Sequence, residues 1–264
     1  MIEPKDRPRP RNWQSFRQSI RHHWLLPFLL LDWIAEWAAF CLSRTSLLEF
    51  LEYCGSFSIL IGVIFYFLDA PERTKLKHYQ AWQVINTAQG KGGSGGRAEA
   101  LHELNEDHVP LVGVDLTDAF LQRLDLQKAE LRRGSFDGAD LKDANLNRSD
   151  LQQGHFENTN LRDAQLTGAN FSDATLTDAD LNGAVLIGSN LHNADLTRAD
   201  LRGADLSGVV DWKSITGIQL ANIHGVRNPP EGFVSWATSK GAVDIDTDAV
   251  WDPMVEAAKE KLRK

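Results

Sequence analysis

A large apolar residue recurs at every fifth position from Leu111 to Leu206, and this period constrains the fold more than any other feature of the chain. Seventeen of these twenty positions are Leu and three are Phe. Five residues advance an α-helix by about 500°, which would spread the leucines over all of its sides. In a flat strand the odd spacing would send alternate leucines into solvent. The path that buries them all turns by a constant angle per pentapeptide, and such a path is a solenoid.

The recurring Leu and Phe residues are the predicted core of this solenoid. From Ala129 onward, the position two residues before each of them holds only Ala, Gly, Ser or Thr, which leaves room for the large side chain. Burial of each Leu or Phe is expected to stabilise the fold by about 1.5–3 kcal/mol before chain entropy is subtracted. The predicted core includes Leu116, Leu121, Phe136, Leu141, Phe156, Leu161, Phe171, Leu181 and Leu201.

The triplets Ala139-Asp140-Leu141, Ala144-Asn145-Leu146 and Ala179-Asp180-Leu181 follow an A-[DN]-L-x-x pattern. This pattern resembles the pentapeptide-repeat family, and it extends over residues 109–208. The resemblance implies a mainly β fold, a right-handed quadrilateral β-helix with four pentapeptides in each coil and about five coils in all. Residues twenty apart would then lie above one another, so Phe136 is expected to stack on Phe156.

Partner specificity is expected on the outward positions, because the inward positions form the core. One outward row has little basic compensation apart from Arg198, and a second ladder of acidic and amide residues runs beside Lys142, Arg162, Asn182 and Arg202. The candidate interaction surface consists of Asp118, Asp137, Glu157 and Asp178 in the first row and of Asp140, Asp180 and Asp200 in the second. An ordinary solvated face is the alternative interpretation.

The segments around the repeat suggest an ordered series of regions. The pattern predicts a basic N-terminus over residues 1–23, a membrane region over 24–70, a helical linker over 71–108 and a C-terminal cap and tail over 209–264. A short helix over residues 97–106 is expected to cap the first coil, since Ala98, Leu101 and Leu104 would form its apolar side. At the other end, an apolar segment from Trp212 to Ile223 is expected to close the column. The glycine-rich residues 90–96 lack phosphate-loop spacing and are predicted to be a flexible linker.

Two further helices are predicted downstream. A short one would run through Phe233 and Trp236, and a final one would begin at about Asp252 or Pro253 and end at Leu262.

Two apolar stretches precede the linker. Leu47–Leu68 carries no charge from Tyr53 onward and is predicted to span a membrane. Residues 24–42 contain Asp32 and Glu36, so they either form a hairpin with the second helix or lie flat at the interface. Basic residues after Leu68 favour a cytoplasmic location for the repeats, hence the expected place is the bacterial inner membrane.

The sequence predicts no chemistry for this chain. The eight histidines lack metal-ligand spacing, no nucleophile motif is present, and Cys41 and Cys54 both lie in the apolar region. We therefore expect no catalytic residues, no metal and no cofactor, and we expect a protein that is not an enzyme. The formal net charge of −8 argues against direct nucleic-acid binding.

The leading functional hypothesis is a membrane-tethered scaffold that binds an unknown protein partner and the lipid bilayer. One alternative comes from the family resemblance, because some members mimic duplex DNA and protect topoisomerases. Another is an accessory subunit of a larger membrane complex, in which Asp32 and Glu36 would find partners.

Overall fold

The computed structural model describes residues 9–12, 14, 26–42, 47–87 and 96–263 and divides into two units, residues 1–74 and 75–264. The first unit contains helices α1 (Leu26–Leu42) and α2 (Leu47–Leu68), and α3 (Ala70–Thr87) runs from the first unit into the second. The second also contains α4 (Arg97–Glu106), a 3₁₀ turn (Trp212–Ser214), α5 (Phe233–Ser239) and α6 (Asp248–Arg263). Most of the basic N-terminus, the predicted hairpin turn at residues 43–46 and the glycine-rich residues 90–95 lie outside the described residues.

A four-sided column forms the body of the second unit. Parallel bridges join residues twenty apart, from Asp115 with Ser135 to Asn190 with Val210, so each coil contains four pentapeptides. After each Leu or Phe the chain makes a turn whose third residue has a positive φ of 54–71°. Because this turn recurs every five residues, the described part of the column has isolated bridges and no extended strands. The predicted solenoid with four pentapeptides in each coil is confirmed.

Backbone hydrogen bonds hold successive coils together. On the side that contains Leu121, the amide of Leu121 donates to the carbonyl oxygen of Asp140 at 2.8 Å, and the amide of Asp140 donates back to Ala119 at 2.8 Å. The positive-φ residue Arg123 adds a third bond, to Lys142 at 2.9 Å. The same three bonds repeat along the column, so each coil sets the position of the next.

Every recurring Leu and Phe of the predicted core is buried, with at most 2% of its surface exposed. Phe136 and Phe156 stack with their ring centroids 4.6 Å apart and their planes 2° from parallel, which confirms the predicted stacking. Gly134 and Gly154 precede the two rings by two residues and make this possible. A Cβ atom on Gly154 would lie 2.6 Å from the Phe156 ring, and one on Gly134 would lie 2.7 Å from the Phe136 ring.

The column does not end near Gly208, where the sequence predicted its end. After Val210 the 3₁₀ turn inserts two residues, and the bridges then resume with a spacing of 22, from Asp195 with Gly217 to Asp205 with Arg227. Ala221-Asn222-Ile223 has the repeat pattern in this shifted frame, and all three residues are buried. The segment predicted to close the column is therefore largely a sixth, irregular coil. Asn222 also pairs with Val243, which adds a strand-like piece beyond that coil.

Helix α4 covers the first coil, with Leu101 and Leu104 fully buried in the column core. The amide of Val109 donates to the carbonyl of Leu104 at 2.9 Å and leads the chain from the helix into the repeat. The part of α3 within the second unit packs Ile85 into the same core, and its Lys77 pairs with Glu103 at 2.6 Å. The predicted cap is therefore supported from outside by a second helix.

The final helix begins earlier than the sequence predicted. Helix α6 starts at Asp248, and Pro253 lies inside it. The sequence pattern had placed Pro253 at the start of this helix. Inside the helix, Pro253 removes one backbone hydrogen bond, because it has no amide hydrogen. Asp248 carries a negative charge in the first turn, where the helix dipole favours it.

In the first unit, the side chains of α2 that are described, from Cys54 to Leu68, are all exposed. Within the described residues, no single helix combines the length and apolarity of a membrane span, so the predicted span over Leu47–Leu68 is not supported. One pair of helical segments, Cys54–Leu68 with Ala70–Thr87, meets these criteria together with a 45° bend between them.

The match between glycine and phenylalanine in the core generates a stability prediction. Gly154→Ala will lower the free energy of unfolding by about 2 kcal/mol, because the new methyl group overlaps the buried Phe156 ring. Phe156→Leu in the same chain restores the Ala-x-Leu combination seen at Ala164 and Leu166. The free energy of unfolding will then decrease in the double variant by at least about 1 kcal/mol less than the summed decreases of the two single variants. Denaturant unfolding followed by circular dichroism measures this, and strict additivity would contradict it.

Candidate interaction surface

Helix α6 packs along one corner of the column and covers part of the predicted surface. Its two buried apolar side chains, Trp251 and Val255, lie one turn apart and face the column. The indole Nε1 of Trp251 donates to the carbonyl oxygen of Leu220 in the sixth coil at 2.9 Å. The tail predicted from sequence is therefore part of the outer surface of the column.

Arg202 fixes the beginning of α6. Its guanidinium donates to both carboxylate oxygens of Asp200 at 2.5–3.0 Å, and its Nη2 lies 2.6 Å from a carboxylate oxygen of Asp248. It also lies over the Trp251 ring, 5.5 Å from the centroid. The hydrogen bonds that Arg202 donates to Asp200 outweigh burial and raise the pKa of Arg202 above its usual value. Asp200, a predicted surface residue, is thus enclosed by Arg202 and has only 6% of its side chain exposed.

Asp178 holds the other end of α6. Arg198 donates to its two carboxylate oxygens at 2.9 and 2.7 Å, and Lys259 of α6 lies 3.2 Å from Oδ1. Only 7% of the Asp178 side chain is exposed. Burial by itself would raise the pKa of this carboxyl, but the hydrogen bonds from Arg198 and Lys259 outweigh burial and hold the pKa below its usual range.

The remaining residues of the first row are open to solvent. Asp118 and Glu157 are exposed, and Asp137 is half-buried because its Oδ1 accepts the Glu157 amide at 2.7 Å. Among the described residues, none of these three forms an ion pair within 4.0 Å. The structure therefore divides the predicted row into an open part, formed by these three residues, and a covered part at Asp178.

The second ladder has a structural role that the sequence analysis missed. The carboxylates of Asp140, Asp180 and Asp200 each accept the backbone amide two residues ahead, at 3.3, 3.0 and 3.0 Å. Such Asx turns stabilise the corner that follows. The Asp or Asn that often precedes the recurring Leu was the available signal for this role.

The same carboxylates also bind neighbouring side chains on the ladder. Asp140 accepts hydrogen bonds from Gln122 at 2.5 Å and Asn160 at 2.9 Å, and Asp180 accepts one from Arg162 at 3.2 Å. Burial raises the pKa of Asp180, against the opposing effects of the Asn182 amide and Arg162. These carboxylates are largely committed to contacts within the column.

In the part of the chain that the structure describes, the geometry offers no centre for chemistry. Within the described ranges, no group of three or more His, Cys, Asp or Glu side chains is placed to bind a metal ion. The cavities along the column are open clefts, such as the one of about 310 Å³ between the end of α4 and the first coils. The outer surface, with its regular ladders, is the part of the molecule suited to recognition.

Comparison with known proteins identifies the column. The family model for pentapeptide repeats matches in eight copies, over residues 111–148, 139–178 and 176–210. Residues 111–210 are pentapeptide repeats. The match ends at residue 210, whereas the coil-to-coil pairing of the pentapeptide-repeat domain continues to Val243.

Several solved pentapeptide-repeat proteins resemble the chain. One from the Arabidopsis thaliana thylakoid lumen is 33% identical, with a TM-score of 0.22, over 38% of this chain and 66% of that one. HetL, which is involved in heterocyst differentiation regulation in Nostoc sp. strain PCC 7120, is 26% identical, with a TM-score of 0.20, over 45% of this chain and 64% of that one. QnrB1, a plasmid-mediated fluoroquinolone resistance protein, is 20% identical, with a TM-score of 0.23, over 45% of this chain and 71% of that one. The chain spans just under two thirds of the length of the first two, and no curated protein matches it.

The lowered pKa of Asp178 predicts an acid-sensitive contact between α6 and the column. A carboxyl whose pKa is lower in the folded state stabilises the fold above its unfolded pKa of about 3.9. That stability decreases as the pH falls below this value and is lost at the folded pKa. The docking of α6 will therefore be constant above about pH 5 and will weaken below about pH 4.

The methyl NMR signals of Val255 report this docking directly. In Asp178→Asn the docking will be weaker at pH 7 and will lose most of its acid dependence. Asp163→Asn, at an exposed carboxylate, is the matched control and will behave like the unmodified chain. An unchanged acid response in Asp178→Asn would contradict the assignment.

Proposed function

We propose that this protein is a membrane-tethered, non-catalytic scaffold whose pentapeptide-repeat domain binds a partner protein through its outward side chains. The observation that carries the proposal is that inward and outward positions of the repeat have different roles. The inward Leu, Phe and small residues are fully used in the core, and three hydrogen bonds per pentapeptide fix the backbone. Outward side chains are thus presented at constant spacing on a rigid surface, which suits protein recognition.

The open part of the acidic row, Asp118, Asp137 and Glu157, is the proposed contact surface. Asp118 and Glu157 remain solvated, whereas most carboxylates of the second ladder are engaged by turns and arginines. A partner with a basic patch would gain charge complementarity here without breaking any ion pair of the column. Such complementarity favours rapid and selective association more than high affinity.

The alternative of a nucleic-acid mimic fits the surface less well. A mimic needs rows of exposed negative charge, but Asp178 and Asp200 are nearly buried and each is paired with an arginine. Asp180 is also paired, with Arg162. Of the seven predicted surface carboxylates, Asp118, Asp137 and Glu157 are the ones that neither an arginine nor an Asx turn engages, and they form a short stretch compared with the phosphates of a duplex.

The tether in this proposal rests on the first unit. Its described apolar side chains include a run from Phe57 to Leu68 that the protein itself leaves exposed, with Ile59 at 71% and Phe67 at 68%. Contiguous exposed apolar surface of this kind is typical of membrane contact. With Arg73 and Lys75 following the run, the proposed location is the bacterial inner membrane with the repeats in the cytoplasm.

Site-specific photo-crosslinking tests the contact surface. A photo-reactive amino acid at position 157 will crosslink a protein partner in native membranes. The same amino acid at position 127, an exposed site at the equivalent repeat position on another side of the column, will not. Asp137→Lys in the chain labelled at position 157 will reduce the crosslink at least about tenfold, because it reverses a neighbouring charge. Equal crosslinking from both positions would contradict the proposal.

Membrane extraction tests the tether. The unmodified chain will remain with membranes after alkaline carbonate treatment. Ile61→Arg combined with Ile64→Arg will release it, since each arginine opposes insertion by about 2.5–3.5 kcal/mol. Leu76→Arg, at an exposed position of α3, is the control and will leave the chain in the membrane fraction. A chain that is extracted without any substitution would remove the tether from the proposal.

A further inference from the structure

We propose that the surface beneath α6 is a groove for an amphipathic helix of a partner protein, and that α6 occupies this groove as an internal competitor. The groove, named here the α6 groove, is formed by Asp178, Arg198, Arg202 and the carbonyl of Leu220. The inference does not depend on the proposed function, because it rests on the contacts of α6 alone.

The α6 groove accepts one narrow face of a helix. Asp248, Trp251, Val255 and Lys259 follow one another at spacings of three, four and four residues, which places all of them on the same side of α6. Trp251 and Val255 are buried, whereas the neighbouring Val250 and Met254 are 54% and 39% exposed. The groove therefore binds an aromatic residue and a branched aliphatic residue one turn later.

The two ends of the α6 groove have opposite charges that match the polarity of a helix. Arg202 receives the acidic first turn of α6 through Asp248, and Asp178 receives Lys259 nearer its C-terminal end. A helix carries partial positive charge at its start and partial negative charge at its end, so acidic residues belong at the start and basic residues at the end. A partner helix must therefore have an acid in its first turn and a lysine or arginine about eleven residues later.

The attachment of α6 is suited to release. The helix follows a link at residues 244–247 in which Asp244, Asp246 and Thr247 are exposed, although Asn222 exchanges hydrogen bonds with the backbone of Ile245 and His224 lies 2.6 Å from Asp244. Among the described side chains of α6, the large apolar ones that are buried are Trp251 and Val255. Pro253 weakens the helix near its middle. By contrast, the column beneath keeps its own hydrogen bonds between coils when α6 leaves. Local opening of this kind precedes global unfolding in many proteins.

The covalent link explains why the groove would be hidden in the intact protein. A tethered helix acts at an effective concentration on the order of millimolar. A free helix with the same contacts therefore binds measurably only when the contacts of α6 are weakened. The test therefore keeps the groove intact and changes α6.

The probe is a fluorescent peptide with the sequence of residues 246–263, titrated into the detergent-solubilised full chain. Trp251→Ala with Lys259→Glu weakens α6 and leaves the α6 groove unchanged, and this variant will bind the peptide at least about tenfold more tightly than the unmodified chain. Val250→Ala with Met254→Ala changes the exposed side of α6 and is the matched control, with no gain expected. Adding Asp178→Lys to the first variant will abolish the gain, and a peptide of scrambled sequence will not bind.

A second form of the chain controls for incomplete release of α6 from the groove in the weakened variant. A protease site placed in the link at residues 244–247 allows α6 to be cut from the intact column, after which one equivalent of fluorescent peptide will replace the cut helix. Failure of the peptide to bind either the weakened variant or the cut chain overturns the proposal. The proposal is also overturned if the unmodified chain self-associates and the peptide dissociates the oligomer, because the groove would then bind a second copy of the chain.

Discussion

The hydrogen bonding between coils is the constraint on which the rest of the structure depends. Because residue pairs are separated by twenty, the backbone of each coil fixes the height and direction of the coil above it. The chain can continue only if each pentapeptide supplies a buried residue, a small residue and a turn with positive φ. Those three requirements specify most of the sequence pattern and leave the other positions free for surface chemistry.

The positive-φ position shows how strong this constraint is. Most residues avoid that conformation, with a penalty of about 1–2 kcal/mol for a residue with a Cβ atom. The column nevertheless places Arg123, Lys128, Arg148 and Asp163 there as well as glycines. Each of these four non-glycine residues donates its backbone amide to the next coil at 2.9–3.0 Å, a hydrogen bond that the peptide group would otherwise lack. The pairing between coils therefore stabilises a backbone that local preference disfavours.

The column could be predicted from the sequence because its signal is local and repeated. Leu and Phe every fifth residue determine the core, and the twenty-residue coil implied by the family resemblance predicts the stacking of Phe136 on Phe156, which the structure confirms. The sixth coil could not be predicted in this way, since the two residues inserted after Val210 shift the frame. Ala221-Asn222-Ile223 shows the pattern again, but a single repeat has little statistical weight without the preceding frame.

The candidate surface could be predicted only in part, because it depends on contacts between segments distant in sequence. The row from Asp118 to Asp178 follows from the repeat, and Arg198 was recognised as its compensating charge. The burial of Asp178 depends on Lys259, which lies some eighty residues further along the chain and outside the repeat. An amphipathic pattern in α6 indicates that the helix packs against something, but it contains no information about which side of the column it covers.

The spacing of the column makes it a suitable surface for a helix lying along its axis. Coils follow one another at about 4.8 Å, close to the 5.4 Å pitch of an α-helix. From Trp251 to Lys259 the helix advances by about 12 Å, and the two coils from Leu220, which accepts from Trp251, to Asp178, which pairs with Lys259, account for about 10 Å. Successive turns of a helix therefore meet successive coils nearly in register. A surface built from repeated coils can thus recognise the order of charges along a helix, and α6 is the instance of this recognition that the chain itself supplies.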